Sequence, residues 1–342
     1  MKLLIVGGAG YIGSHMVKHL IQCGHDPIVF DNLSTGHRDA VSDAQLIEGD
    51  LADSRALKKL FNTHEFDAVM HFASFSQVAE SVKKPDIYYL NNVAGTINLL
   101  HAMMNANIKQ FVFSSTAAIF GEPQRIPIDE SHPKLPINAY GRSKLIVEHI
   151  LQDLDQAFEL KSVSLRYFNA AGADESGDIG ERHLPETHLI PILLQTALGI
   201  REKAVVFGSD YPTQDGTCIR DYVHVSDLCE AHMAALNYLN KEQASNCFNL
   251  GNGEGFSVEE VIDAVKKVTG KNFDVVYENR RKGDPAILVA DSKLARQALD
   301  WRPRYTDLET IILHAWQFEQ KKNNKKLVCS RDRQPLISNC IK

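Results

Sequence analysis

The chain has 342 residues, 44% of them hydrophobic, which is enough for about two globular domains with a sizeable core. Thirty-seven basic and 43 acidic side chains give a formal net charge of -6, so no broad basic surface is available for nucleic acid or an anionic membrane. No apolar run approaches the ~20 residues of a membrane-spanning helix, the N-terminus does not resemble an export signal, and the six cysteines show no zinc-like or disulfide-like spacing. We therefore expect a cytoplasmic protein with free thiols that binds neither nucleic acid nor membrane.

A glycine-rich loop follows the first predicted strand. Residues 3–6 are wholly apolar, and after the loop the apolar residues recur at helical spacing. Gly7, Gly10 and Gly13 would permit a tight turn, close approach of a pyrophosphate and close packing of the helix. The anion would then lie at the helix N-terminus, beside Tyr11 and Ile12.

An aspartate ends the second predicted strand. Residues 27–30 form an apolar run, and Asp31 follows it, 18 residues after Gly13. A carboxylate at this position accepts hydrogen bonds from an adenosine ribose and repels a 2′-phosphate, so the spacing predicts NAD rather than NADP. The simpler alternative is an aspartate that only caps a turn.

Strand and helix patterns alternate through the first half of the chain. Further strands are predicted at 44–48, 68–73, 110–113 and 163–167, with helices at 53–62 and 86–106. Right-handed crossovers between parallel strands would give a doubly wound, mostly parallel Rossmann-type sheet, with the cofactor along the carboxyl ends of its strands. The other residues expected to contact the cofactor along that edge are Asn32, Asp50, Leu51, Phe72, Ala73, Asn91, Ser114 and Tyr167.

The pattern changes in the second half. Shorter elements and more prolines predict a smaller α/β substrate lobe over 179–320, after a cofactor-binding domain over 1–178 to which the chain returns at about 223–250. Residues 172–184, rich in glycine and charge, predict a long loop that could act as a lid. Residues 321–342 carry seven basic side chains and are expected to form a mobile basic tail.

Tyr140 and Lys144 lie four residues apart on a predicted helix and so project from one face. A phenol ordinarily loses its proton only near pH ~10, so it can act as a base at neutral pH only where a neighbour stabilises its anion. A lysine one turn away can do this. Taken alone, the pair is equally consistent with two ordinary residues on a surface helix.

Several separated segments resemble the extended short-chain dehydrogenase/reductase family. They are the glycine loop with Asp31-Asn32, then Tyr140-Gly141-Arg142-Ser143-Lys144, and Arg166-Tyr167-Phe168-Asn169. Within that family, residues 207–213, 215–225 and 280–285 are similar to the UDP-hexose 4-epimerases. The resemblance extends from residue 1 to about residue 318.

The resemblance implies an isomerase that interconverts UDP-galactose and UDP-glucose through a transient 4-keto sugar. Tyr140, as phenolate, would take the proton of the sugar 4-hydroxyl while NAD takes the C4 hydride. Lys144 would favour the phenolate and bind the nicotinamide ribose, and Thr116 would carry the proton between phenol and sugar. Thr116 departs from the serine usual in relatives, and Ser76 stands where some relatives have a lysine near the nicotinamide.

The resemblance also implies a set of substrate contacts. Besides Thr116 and Tyr140, these are Asn169, His188, Leu189, Phe207, Arg220, Tyr222, Arg281, Asp284 and Leu288. The two arginines would clamp the diphosphate with planar charged donors. Either arginine could instead form a structural ion pair, Arg281 with Asp284 or Arg220 with Asp221. Leu288 would line the sugar pocket and favour plain hexoses, although N-acetylhexosamines, pentoses and glucuronate remain open.

Two other functions are compatible with this fold. A nucleotide-sugar dehydratase of this family would have an Asp-Glu pair directly after the threonine, whereas this chain has Ala117 and Ala118, so elimination lacks its general acid. An inactive NAD-binding sensor would have no need to retain Thr116, Tyr140 and Lys144 together.

Two further expectations concern metal and assembly. Glu181, His183, Glu186 and His188 are interleaved, but they lie on a predicted loop and the implied mechanism needs no metal, so no metal site is predicted. The resemblance implies a homodimer in which the 86–106 and Tyr140 helices pair with their copies. An apolar stripe supports this but would equally suit the monomer core; it consists of Ile146, Val147, Ile150, Leu151 and Leu154.

Overall fold

The computed structural model describes residues 1–41, 43–281 and 284–331, the last seven of these by their backbone alone. The strands are β1 (Lys2–Val6), β2 (Asp26–Asp31), β3 (Gln45–Glu48), β4 (Ala68–His71), β5 (Gln110–Thr116), β6 (Lys161–Tyr167), β7 (Asn169–Ala171), β8 (Lys203–Phe207), β9 (Ile219–Arg220), β10 (Tyr222–His224), β11 (Asn246–Leu250), β12 (Phe256–Ser257), β13 (Asp274–Glu278) and β14 (Ile287–Leu288). The α-helices are α1 (Tyr11–Gln22), α2 (Ser54–Thr63), α3 (Val78–Lys83), α4 (Pro85–Tyr88), α5 (Gly95–Asn105), α6 (Ala139–Phe158), α7 (Leu189–Ala197), α8 (Val225–Glu242), α9 (Val258–Thr269), α10 (Lys293–Ala298) and α11 (Leu308–Arg331).

Seven parallel strands form the central sheet, in the order β11-β6-β5-β4-β1-β2-β3. This confirms the predicted doubly wound Rossmann-type fold. All four residues of β4 are buried, because helices cover both faces of the sheet. On one face the core includes apolar residues of α1 and α8, and on the other it includes those of α2, α5 and α6. The carboxyl ends of the strands therefore share one edge, where a ligand can meet loops from both halves of the sheet.

The seventh strand comes from late in the chain. After β10 the chain enters α8, which packs on the sheet, and β11 then pairs with β6 in parallel register, with Phe248 opposite Leu165. The sheet edge beside β6 is thus completed by residues 246–250.

A second lobe packs around a core of its own. Its apolar residues come mainly from α7, α9 and α11, and small sheets join β8 to β13 and β9 to β12 and β14. The N-terminus of α9 has a capping box: Ser257 accepts from the Glu260 amide, and the Glu260 carboxylate accepts from the Ser257 amide.

The predicted helix over 86–106 is not uniform. It consists of α4, a π-helical segment over Tyr89–Ala94, and α5. Within the π-helical segment Asn92 is buried, accepts from the Phe75 amide and donates to the Phe75 carbonyl and to Ser143 Oγ, at 2.9, 2.9 and 3.1 Å. The wider turn thereby lets one amide side chain join the loop after β4 to α6.

The C-terminal prediction needs a correction. Residues 321–331, assigned above to a mobile tail, continue helix α11, and residues 332–342 lie outside the described residues. Among the described residues no helix combines the length and apolar character needed to cross a bilayer. The cysteines whose side chains are described, at 23, 218, 229 and 247, are free.

Candidate active site

A continuous cavity of about 1140 Å³ lies between the carboxyl edge of the sheet and the second lobe. Every residue assigned above to catalysis, to the cofactor or to the substrate lines it. The fold thus brings together side chains that are more than two hundred positions apart in the sequence. Lys282 and Gly283, inside the 280–285 segment, lie outside the described residues.

The glycine loop has the shape needed to hold a pyrophosphate. Gly7 has a φ of 79°, a conformation that favours glycine, and a Cβ there would lie 2.3 Å from the backbone nitrogen of Ala73. A Cβ on Gly13 would lie 2.2 Å from the Gly7 carbonyl oxygen. Gly10 is the N-cap of α1 and offers no capping side chain, so amides of the first helical turn are left for an anion.

Asp31 is held at the end of β2 by two backbone amides. Its carboxylate accepts from Ala9 at 2.9 Å and from Leu33 at 2.8 Å. The hydrogen bond from the Leu33 amide is the turn cap named above as the simpler alternative. Asp31 also lines the cavity, so the cap orients this carboxylate within the ligand site. Beside it, Asn32 donates to Asp50 at 2.8 Å. The loop and these side chains fit an adenine dinucleotide with an unphosphorylated ribose.

The catalytic pair predicted from its spacing lies at the start of α6. The Asn138 side chain caps this helix by accepting from the Gly141 amide at 2.8 Å. Lys144 is only 3% exposed and donates to the Ser114 carbonyl at 2.7 Å. Tyr140 and Lys144 are therefore not two ordinary residues of a surface helix, because Lys144 is buried and both side chains line the cavity.

The electrostatics of the pair follow mainly from burial. Burial raises the pKa of Tyr140, and a hydrogen bond with Thr116 lowers it in part. Burial also lowers the pKa of Lys144 to about 7, while the negative charge of Glu148 raises it. Burial therefore favours a neutral phenol and weakens the charge of the lysine beside it.

Thr116 ends β5 and begins a 3₁₀ turn over Ala117–Ile119. Its Oγ1 accepts from the Ala118 amide at 3.1 Å, which fixes the side chain on the wall of the cavity. Threonine in place of the usual serine thus still places a hydroxyl within reach of the Tyr140 phenol.

A buried ion pair supports α6, and reasoning from the sequence missed it. Glu148 accepts from Arg166 through two hydrogen bonds, at 2.9 and 2.6 Å, and from Ser115 Oγ at 2.6 Å. Both charged side chains are 2% exposed. The signal was an acidic residue on the buried face of α6, one turn beyond Lys144.

The second lobe supplies the other wall. Arg220 pairs with Asp284, and the Arg281 guanidinium lies 3.9 Å from the centre of the Phe207 ring. The pairing of β9 with β14 sets Leu288 opposite Arg220, and that of β7 with β10 sets Asn169 opposite Tyr222.

The two ion pairs considered from the sequence were wrong in their partners. Asp284 pairs with Arg220 rather than with Arg281. Asp221 turns away from Arg220 and accepts from three backbone amides, those of Asn252, Gly253 and Ala290, at 2.8 to 3.1 Å. Its buried carboxylate therefore joins the backbone at residue 221 to the segments at 252–253 and 290. Arg220 is held on the cavity wall by Asp284 instead.

The loop before α7 carries, besides the predicted His188, side chains on the cavity wall that the predicted site omitted. His188 is the N-cap residue of α7, and its ring contacts Glu181. Glu186 accepts from the amides of Thr187 and His188, at 2.9 and 3.0 Å. His183 lies between these two carboxylates.

Comparisons with known proteins identify the family of this chain. Residues 3–251 match the sequence profile of the NAD dependent epimerase/dehydratase family. The UDP-glucose 4-epimerase of Halalkalibacterium halodurans is 51% identical over 334 residues, covering 98% of this chain and 100% of that protein. The structure of the UDP-glucose 4-epimerase of Brucella ovis in complex with NAD is 46% identical with a TM-score of 0.90, covering 93% of this chain and 98% of that one. The UDP-Glc/GlcNAc 4-epimerase of Campylobacter jejuni is 46% identical with a TM-score of 0.82, covering 94% and 99% of the two chains. Since the profile spans most of its length and relatives match it nearly end to end, this chain belongs to the NAD dependent epimerase/dehydratase family.

Proposed function

We propose that this protein is an NAD-dependent isomerase that interconverts UDP-galactose and UDP-glucose through a 4-keto sugar. The observation that carries the proposal is the juxtaposition of the Tyr140 phenol, its Thr116 partner and the buried Lys144 with the glycine loop in one cavity. The relatives at 46 to 51% identity are named as 4-epimerases of UDP-sugars, one of them in complex with NAD.

NAD, when bound, would supply the hydride acceptor and return the hydride to the same carbon. Tyr140 would take the 4-hydroxyl proton through Thr116 and give it back when the hydride returns. Lys144 would stabilise the phenolate by its charge, which Glu148 helps to maintain. Arg220 and Arg281, held by Asp284 and by the Phe207 ring, would bind the diphosphate.

Elimination is not supported by the residues around the reacting carbon. Ala117 and Ala118 follow Thr116 on the cavity wall and have no acidic group that could protonate a leaving hydroxyl. An inactive NAD-binding sensor would leave the hydrogen bond between Thr116 and Tyr140 without a purpose. Isomerisation accounts for both observations.

The proposal is tested with UDP-galactose and purified protein, without added reductant. Wild type should form UDP-glucose, while Tyr140→Phe should lose about 10² to 10⁴-fold in turnover and still bind NAD and UDP. Tyr277→Phe is a matched control, because that phenol is outside the cavity and bonds to Glu259. Full turnover by the Tyr140 variant would remove the phenolate from the mechanism, and an inactive wild type that binds NAD would favour the sensor.

The preference among UDP-sugars depends on Leu288. Its position opposite Arg220 suits a side chain beside the sugar, and its size leads us to favour plain hexoses over the N-acetyl forms that the Campylobacter jejuni relative's name includes. Comparable kcat/KM values for UDP-N-acetylglucosamine and UDP-glucose would refute this preference. In Leu288→Gly, a larger increase of kcat/KM for UDP-N-acetylglucosamine than for UDP-glucose would support it.

The proposal includes a homodimer formed through the helical face around α6. Val147 and Leu151 fill the monomer core, but large apolar side chains stay exposed on adjacent elements: Leu90 (67%), Ile97 (45%) and Ile146 (37%). Sedimentation velocity should give a dimer for wild type and a monomer for Ile97→Glu. Ile200→Glu, at another exposed apolar residue, should remain dimeric, and a monomeric wild type would reject the assembly.

A further inference from the structure

The loop over residues 181–188 gathers four side chains that can bind a metal. Glu181, His183, Glu186 and His188 each offer one ligand atom, and these atoms lie within 4.8 Å of one another. The two imidazole rings are 5.3 Å apart and nearly perpendicular. Four ligands from one short segment can converge on a single ion without closing a long loop.

The two carboxylates of this group are buried. Glu181 is 5% exposed and Glu186 is 7% exposed, so their charges need a positive partner nearby. The neighbouring arginines are engaged elsewhere: Arg182 pairs with Asp39 at 2.9 Å, and Arg201 bonds to the Gln195 side chain and to the backbone carbonyl of Glu186. Within the part of the chain that the structure describes, this leaves the histidines or a bound cation as the source of the compensating charge.

The position of one histidine nitrogen favours the cation. Nδ1 of His183 is buried and lies 3.0 Å from Glu181 and 3.6 Å from Glu186, yet it makes no hydrogen bond of acceptable geometry among the described residues. Nδ1 of His188 also contacts the same oxygen of Glu181. One ligand atom from each of the four side chains lies within 4.8 Å of the others, a spacing that suits ligands around one ion, in which lone pairs rather than N–H bonds face inward.

We propose that Glu181, His183, Glu186 and His188 form a structural site for one divalent transition-metal ion, with Zn²⁺ the best match. Two imidazole nitrogens with two carboxylate oxygens suit Zn²⁺, whereas Mg²⁺ and Ca²⁺ prefer oxygen ligands alone. Four protein ligands leave no open position, as in structural rather than catalytic zinc sites.

The ion would fix the loop that leads into α7 and the tautomer of its N-cap histidine. Coordination through Nδ1 leaves the proton of His188 on Nε2, as a donor directed away from the ion. Under the proposed function, on which this last step alone rests, that donor would serve the diphosphate of the UDP-sugar. The site itself needs no substrate.

The test uses tag-free, full-length protein that has been treated with a chelator and dialysed. Calorimetric titration with Zn²⁺ should give one equivalent per chain, and Co²⁺ should give the intense visible bands of a tetrahedral complex. His183→Asn and the isosteric Glu186→Gln should each weaken binding by more than about tenfold, with circular dichroism confirming that both fold. His19→Asn is the matched control, since this partly buried histidine lies near Glu230 and Cys23 but outside the group.

Three results would overturn the site: no stoichiometric Zn²⁺ binding by wild type, unchanged binding in both loop variants, or a loss confined to the His19 variant. Epimerisation of UDP-galactose is assayed separately on the same samples. Failure of that assay would count against the proposed function, whereas the stoichiometry of Zn²⁺ bears only on the metal site.

Discussion

Replacement of Glu148 by glutamine should destabilise the protein strongly, because it leaves a buried arginine without its counter-ion. Arg166 and Glu148 are each 2% exposed and share two hydrogen bonds. Removing one partner of such a buried pair costs about 3–5 kcal/mol, more than the pair contributes relative to apolar side chains. The loss should appear in the free energy of unfolding.

The assay is equilibrium unfolding in urea, followed by far-ultraviolet circular dichroism. The matched control is Glu159→Gln at the other end of α6, where an exposed pair with Lys109 should be worth only about 0–1 kcal/mol. Adding Arg166→Met to Glu148→Gln should recover part of the stability, since the unpaired charge is then gone, and the shortfall from additivity measures the coupling.

A loss in Glu148→Gln no larger than that of the control would refute the reasoning. It would mean that water or a local rearrangement solvates Arg166 at little cost. Activity offers a second readout, because the same carboxylate raises the pKa of Lys144. Turnover at neutral pH should fall in this variant even where the protein remains folded.

Three further predictions follow from the buried groups and the tight turns. Burial lowers the pKa of His71 to about 3 and of His232 to about 4, below the ordinary value of ~6.5 that both have in the unfolded chain. Burying these neutral rings costs no stability above pH ~6.5. Below that pH the free energy of unfolding falls, by up to about 1.4 kcal/mol per pH unit for each group. Titration from pH 7 to pH 5, followed by nuclear magnetic resonance of the imidazole protons, should therefore find both rings neutral, and a protonation midpoint inside that range would contradict their burial. Thr116→Ser should keep turnover within a few-fold of wild type, whereas Thr116→Val, which has no hydroxyl, should lose about 10²-fold or more; equal rates in both would exclude proton transfer through this residue. Gly13→Ala, whose Cβ would lie 2.2 Å from a backbone oxygen, should lower stability by about 1–3 kcal/mol and weaken NAD binding in a calorimetric titration, and wild-type affinity would show that the loop tolerates the displacement.

The features that could be predicted from the sequence are those set by local pattern. Apolar runs followed by helical periodicity predicted the sheet, and the glycines at 7, 10 and 13 predicted the turn, because each depends on a few neighbouring residues. The spacing of Tyr140 and Lys144 was sufficient to place both on one face of α6.

The features that could not be predicted depend on contacts between distant segments. The partner of Arg220 is Asp284, 64 positions away, and neither residue type nor spacing distinguishes it from the adjacent Asp221. The Glu148–Arg166 pair required knowledge that α6 lies across β6. The π-helical segment arises where Asn92 reaches Phe75 and Ser143, which no local propensity encodes.

The late strand β11 has a consequence for how the chain is made. Until residues 246–250 have left the ribosome, β6 has an unpaired edge, which is a surface on which another nascent chain can add a strand. The cofactor domain therefore cannot fold to completion before the part of the second lobe that precedes β10 has also been synthesised. Expression of residues 1–178 alone would leave that edge permanently open, so the two lobes are separable in space but not in biosynthesis.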